Sequence, residues 1–104
     1  MNTTPKRALV TGGSGGIGTA ICRRLARDGF HVFVQANRNV SVADAVVRDI
    51  VAAGGSAQTL SFDITDTAAT GAALEAVLND APIQVLVNNA GVHDDAVLDR
   101  KSVV

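Results

Sequence analysis

A cluster of glycines, Thr11-Gly12-Gly13-Ser14-Gly15-Gly16-Ile17-Gly18, stands between a short apolar run and a helical repeat. Glycine at such a junction permits a positive φ in a tight turn, lets the backbone approach a ligand, and lets a helix pack closely on a strand. A helix that starts there presents unpaired N–H groups and the positive end of its dipole, a combination suited to phosphate. Two spacings overlap: Gly13, Gly15 and Gly18 satisfy G-x-G-x-x-G, while Gly12, Gly16 and Gly18 satisfy G-x-x-x-G-x-G, and the pattern alone does not choose. No Lys-Ser/Thr pair follows, so the lysine of a P-loop is missing. The pyrophosphate of a dinucleotide is the favoured ligand.

The stretch after the second apolar run decides which dinucleotide. An NAD site places an acid about 20 residues past the glycines to accept from the ribose hydroxyls, and that acid repels a 2′-phosphate. Here the stretch reads Ala36-Asn37-Arg38-Asn39, with no acid and one guanidinium whose donor fork suits a phosphate. NADP is preferred over NAD. Asp63, at the end of a third run, is placed to accept from an adenine amino group, or else to serve as a loop acid near the next helix. Asn88-Asn89-Ala90-Gly91 closes a fourth run, where a carboxamide can tie loops together through backbone groups and the small pair allows close cofactor approach.

Other reactive side chains read more plainly. Cys22 falls among helix residues as a small packed hydrophobe, His31 lies inside an apolar strand, and Arg23-Arg24 makes a solvated helix face. His93, beside Asp94 and Asp95, is the one candidate proton donor but sits in a loop reading, and Lys101 follows Arg100 near the end of the chain. No catalytic residue and no metal site is assigned.

These groups need a scaffold, and the hydrophobic pattern supplies one. Strands are expected at 8–11, 30–34, 57–62 and 85–88. Helices are expected after the glycines, with Ile17, Ile21 and Leu25 in step, then around Val42, Val46, Val47, Ile50 and Val51, and over 66–79 with Leu74, Val77 and Leu78 on one stripe. Asp28-Gly29 and Gly54-Gly55 end the first two helices, and Ser41 with Asp44 resembles a capping box opening the second. The run Phe30-His31-Val32-Phe33-Val34 is nearly continuous, as in a strand covered on both faces. Strands alternating with helices through short connections imply an α/β fold with a doubly wound parallel sheet. After Ala90 the pattern fades.

The 104 residues allow one domain, and 47% apolar content is enough for a core. Nine basic against ten acidic side chains leave a net charge of −1 without a basic block, which argues against a nucleic-acid partner. No apolar stretch is long enough to span a bilayer, no signal peptide opens the chain, and the single cysteine excludes an internal disulfide framework, so a reducing, cytoplasmic setting is expected.

Taken together, Thr11-Gly12-x-x-x-Gly16-Ile17-Gly18, Asp63 and Asn88-Asn89-Ala90-Gly91 resemble the short-chain dehydrogenase/reductase family, whose register is Gly12, Gly16 and Gly18. Asn37-Arg38, the segment 46–55 and Asn88 to Val92 are most similar to its 3-oxoacyl-(acyl-carrier-protein) reductases, acetoacetyl-CoA reductases included. The resemblance implies a Rossmann-type sheet of about four strands in the order 3-2-1-4, helices on both faces, residues 1–104 forming the N-terminal part of one NAD(P)-binding domain, and an exposed edge at the fourth strand where copies could pair. It implies a cofactor shell of Gly12, Ser14, Gly15, Gly16, Ile17, Gly18, Asn37, Arg38, Asp63, Ile64, Asn89, Ala90 and Gly91, with Thr11 and Asn88 bracing it. It further implies an NADPH-dependent oxidoreductase of fatty acid biosynthesis, tetrameric in full, that reduces 3-oxoacyl thioesters of acyl-carrier protein or CoA. Gly15 departs from the Arg that NADPH-dependent members often carry. The family's Ser and Tyr-x-x-x-Lys are not in this chain, which has no Tyr, so the chain by itself is expected to be inactive.

Overall fold

The computed structural model describes residues 5–89. Seven elements alternate along them: β1 (Arg7–Thr11), α1 (Gly16–Arg27), β2 (His31–Ala36), α2 (Val40–Ala52), β3 (Ser56–Ser61), α3 (Thr67–Asp80) and β4 (Val85–Asn88). The strands form one sheet in the order β3-β2-β1-β4. Every pairing is parallel: Arg7 sits opposite His31, Ala8 opposite Val85, and His31 opposite Ser56. This is the doubly wound α/β architecture expected from the pattern, and it sets the ends of all four strands on one edge with the glycine turn between β1 and α1. β3 and β4 are the edge strands of the described residues.

Alternation along β1 and β2 sends side chains to two unequal layers. Val10, Val32, Val34 and Val87 meet Cys22 of α1 and Ala43, Val46 and Ile50 of α2 on one face. Leu9 and Phe33 meet Val77 of α3 on the other, with Leu60, Leu74, Ile83 and Leu86 around them. Small residues on the first face let two helices lie side by side against the valines, while among the described residues one helix covers the second.

The structure departs from the pattern at several points. α1 turns Gly18 and Cys22 inward, and Ile17, expected on the apolar stripe, is 72% exposed. Gly18 takes the inward place because a side chain there would collide with the turn. Val42 and Val51 of α2 and Leu78 of α3 are likewise exposed. The inner positions of α2 belong to Ala43, Val46 and Ile50, and α3 directs Val77 inward, with the adjacent Leu78 turned about 100° away around the axis. The capping box is not formed. α2 begins at Val40, so Ser41 falls inside the first turn, no side chain caps the helix, and Asp44 instead accepts a hydrogen bond of 2.6 Å from the Thr59 hydroxyl of β3. α3 does have a side-chain cap, from Asp66 to the N–H of Ala69 at 3.0 Å. β1 extends back to Arg7 and β2 runs on to Ala36, two residues beyond its apolar run.

Candidate functional site

The glycine turn leaves β1 through Gly12, whose φ of +64° is open to glycine at little cost. The Gly12 N–H donates to Gln35 Oε1 at 2.8 Å, and its carbonyl accepts from Asn89 Nδ2 at 3.1 Å and from the Gly15 N–H at 3.2 Å. The Thr19 hydroxyl closes the turn on the Gly13 carbonyl at 3.2 Å. Space decides the next glycines. A Cβ on Gly18 would stand 2.3 Å from the Gly12 carbonyl oxygen, and one on Gly13 would stand 2.7 Å from Val34. Gly16 differs, because a Cβ there would meet nothing within 4 Å and its φ is not positive. Neither backbone conformation nor packing among the described residues asks for glycine at Gly16.

α1 opens at that point. Gly15 is its N-cap, no side chain caps it, and its first turn carries no acid. The N–H groups of Gly16, Ile17 and Gly18 have no acceptor within the helix, and the dipole adds positive potential beside them. Ser14 is half-buried in the turn, while Gly15, Gly16 and Ile17 are exposed. An exposed, uncapped helix start next to a glycine with unfilled space is a surface into which a phosphate group fits.

The other predicted residues gather along the same edge. Asn37 and Arg38 are exposed just past β2. Asp63 follows β3, where its Oδ1 accepts from the Thr65 hydroxyl at 2.6 Å and the Thr65 N–H at 2.9 Å. These two bonds, and more weakly the positive charge of Arg38, hold the Asp63 carboxyl below the usual carboxylate range against a small opposing effect of burial. Arg38 and Asp63 thus stand within electrostatic reach of each other. Ile64 is half-buried in the turn that Asp63 opens.

At the end of β4, the Thr11 hydroxyl donates to Asn88 Oδ1 at 3.1 Å and accepts from the Asn89 N–H at 2.9 Å. With Asn89 Nδ2 on Gly12, these contacts brace the glycine turn from the β4 side. The side chain of Asn89 grips the turn itself. Ala90, Gly91, His93 and Lys101 lie outside the described residues.

Two residues that matter here were not singled out from the sequence. Gln35 lies in β2 beneath the turn, and Arg7 opens β1 at the opposite edge of the sheet. Cys22 is fully buried, and burial pushes its thiol up to about 12, in keeping with a packing role. Arg23 pairs with Asp49 at 2.9 Å and Arg24 with Asp28 at 3.3 Å on exposed helix faces. No helix among the described residues is long and apolar enough to cross a membrane.

Comparison with known proteins matches this architecture to the short chain dehydrogenase family model over residues 6–103. The chain belongs to the short-chain dehydrogenase family. An uncharacterised oxidoreductase of Methylorubrum extorquens is 41% identical over 91% of this chain and 39% of its own length. A 3-oxoacyl-[acyl-carrier-protein] reductase of Synechocystis is 39% identical over 93% of this chain and 40% of its own. Among solved structures, a metagenomic short-chain oxidoreductase in complex with NADP superimposes with a TM-score of 0.79 at 45% identity, covering 83% of this chain and 39% of that one. The chain therefore spans about two fifths of the length of the curated relatives it matches. For a short-chain dehydrogenase the glycines divide by cause: Gly12 answers to conformation, Gly13 and Gly18 to space inside the protein, and Gly16 to neither.

Proposed function

We propose that the carboxyl edge of this sheet binds the ADP half of NADPH and that the protein carrying it is an NADPH-dependent reductase of 3-oxoacyl thioesters. The observation that carries the reading is the opening of α1, where uncapped N–H groups flank a glycine whose missing side chain faces empty space. The pyrophosphate lies there, against Gly12, Ser14, Gly15, Gly16, Ile17 and Gly18, with Ala90 and Gly91 also in the shell. Arg38, helped by Asn37, takes the 2′-phosphate through charge-assisted hydrogen bonds, and Asp63 with Ile64 and Asn89 borders the adenine side. Arg38 in place of an acid favours NADPH over NADH, and the solved relative in complex with NADP supports that preference.

When bound, the nicotinamide supplies a hydride to a carbonyl. The residues of this chain bind and orient the far half of the cofactor, and with no Tyr in the sequence the family's proton donor is not among them. Support for a 3-oxoacyl thioester of acyl-carrier protein comes from the Synechocystis relative, named as a 3-oxoacyl-[acyl-carrier-protein] reductase; the reading extends to the corresponding CoA thioester, and a tetramer is the assembly it takes for the whole protein. A buried, unpaired thiol at Cys22 supports a reducing compartment, and the cytoplasm is the location proposed.

Calorimetric titration of the chain with NADPH and NADH tests the cofactor reading. NADPH should bind in the micromolar range and NADH more weakly, and Arg38→Ala should weaken NADPH about tenfold or more while leaving NADH unchanged, since a hydrogen bond to a charged group contributes about 1.5–3 kcal/mol. Absence of heat with either nucleotide overturns the reading.

A further inference from the structure

Gln35 is the fifth residue of β2 and is 2% exposed. Its neighbours Val32, Phe33, Val34 and Ala36 are the apolar residues that an interior strand calls for. A buried carboxamide in such a run is costly unless both of its arms are hydrogen-bonded. Both are. Oε1 accepts from the Gly12 N–H at 2.8 Å, and Nε2 donates to the Phe62 carbonyl at 2.7 Å. The main-chain carbonyl of Gln35 also accepts from the Gly13 N–H at 2.9 Å. An N–H on one side and a carbonyl on the other fix which way the amide points.

The two partners belong to different parts of the nucleotide edge. Gly12 and Gly13 open the glycine turn, and Phe62 leads directly into Asp63. We propose that Gln35 is a positioning residue for the cofactor: its carboxamide sets the spacing between the loop that faces the pyrophosphate and the loop that faces the adenine side. This rests on the dinucleotide reading above. A side chain with one acceptor and one donor is required, because an apolar residue would leave the Gly12 N–H and the Phe62 carbonyl without their side-chain partner, with only the main-chain bonds at Gly13 and Phe62 remaining, and an acid would hold one and repel the other. The role predicts a loss concentrated in ligands that touch both loops, with little change for a ligand that touches one.

Gln35→Glu provides the test, since it keeps the shape and changes only the donor. Ionised, the carboxylate still accepts from Gly12 but faces the Phe62 carbonyl with no proton to give. Protonated, it regains a donor and restores the pattern, and both burial and the carbonyl favour that neutral form. Affinities for NADPH and for 2′-AMP are measured on wild type and Q35E between about pH 5.5 and 8, a range across which a buried Glu with a raised pKa titrates. The wild-type profile removes the titration of the nucleotide's own phosphate. The expected result is a loss of about tenfold in NADPH affinity for Q35E at the upper pH, equivalent to one hydrogen bond, recovering toward wild type at the lower pH, with 2′-AMP affinity unchanged at both. Should Q35E fail to fold at the upper pH by circular dichroism, Gln35→Met carries the test, with the same selective loss expected and no recovery with pH. Wild-type binding matched by Q35E, or an equal loss for both ligands without recovery in acid, overturns the role of Gln35 and leaves the cofactor reading standing. Failure of the wild type to bind NADPH overturns both.

Discussion

At the amino end of the sheet, Arg7 is enclosed. Its guanidinium donates to the carbonyls of Val77 at 3.1 Å and Ala81 at 2.5 Å, lies 3.6 Å from the Asp80 carboxylate, and rests 4.8 Å over the Phe33 ring. His31 meets the same ring edge-on and pairs with the Ser56 hydroxyl. At the carboxyl end, Arg38 is exposed beside a loop acid, and α1 starts without a cap. The first arginine uses its donors on its own chain and the second presents its donors to solvent. Concavity does not separate these cases. A cavity of about 330 Å³ lies at the amino end beside Arg7, His31, Gln58 and Asp80, and one of about 450 Å³ lies between α1 and α2 near Arg23, Arg27 and Asp49, whereas the cofactor edge is an open backbone surface. On the proposed reading, unmet hydrogen-bonding capacity rather than concavity marks the nucleotide edge.

Substitutions at the two ends should therefore fail in different ways. Gly18→Ala has the largest expected effect, because its Cβ would stand 2.3 Å from the Gly12 oxygen. Overpacking of that kind costs about 3 kcal/mol, and urea unfolding together with NADPH titration should show stability and binding falling together. Arg7→Met should cost about 2 kcal/mol through the Arg7 hydrogen bonds lost at the Ala81 carbonyl and at the Val77 carbonyl, which keeps only the long bond from the Ala81 N–H, with NADPH affinity unchanged once the folded fraction is accounted for. A loss of affinity in that variant would break the contrast between the two ends. Gly16→Ala should do the reverse, leaving the unfolding free energy from urea titration within about 0.5 kcal/mol of wild type and weakening NADPH about tenfold.

The smallest effect concerns pH. The Asp63 carboxyl titrates below its ordinary value, so the stability it contributes is full above the unfolded pKa of about 3.9 and disappears as pH falls through the lower folded pKa. The difference in urea midpoint between wild type and Asp63→Asn should be constant from about pH 5 to 8 and shrink below about pH 4. A change near neutrality would show that another group controls the Asp63 turn.

The parts of this fold legible in the sequence are those with local causes. The glycine turn, the alternation of strands and helices and the residues of β4 follow from spacing within a few positions of each other. Gln35 falls just past the strand expected at 30–34 because a polar residue ends the apolar run at Val34, yet the strand continues through it, since Phe62 and Gly12 satisfy the amide from 27 and 23 residues away. Burial of Arg7 was hidden for the same reason, its acceptor Val77 lying 70 residues along the chain. Ile17 fits a helical apolar stripe by period, but nothing in periodicity reveals that Gly18 must take the inward position. Ser41 and Asp44 have the right spacing for a cap, but α2 starts two residues earlier, with Asn39 at its N-cap, and the hydroxyl of Thr59 gives Asp44 another partner.

Gly12 is held by two side chains that arrive from very different distances. Gln35 lies 23 residues away and Asn89 lies 77. Closing the longer loop costs about 1 kcal/mol more in chain entropy than closing the shorter one, and contacts of high sequence separation form slowly. During folding, the β2 side of the glycine turn can therefore be set while the β4 side is still open. The glycine turn has both of its braces only once β4 has docked, so on the proposed reading a bound nucleotide favours the state in which β4 is docked.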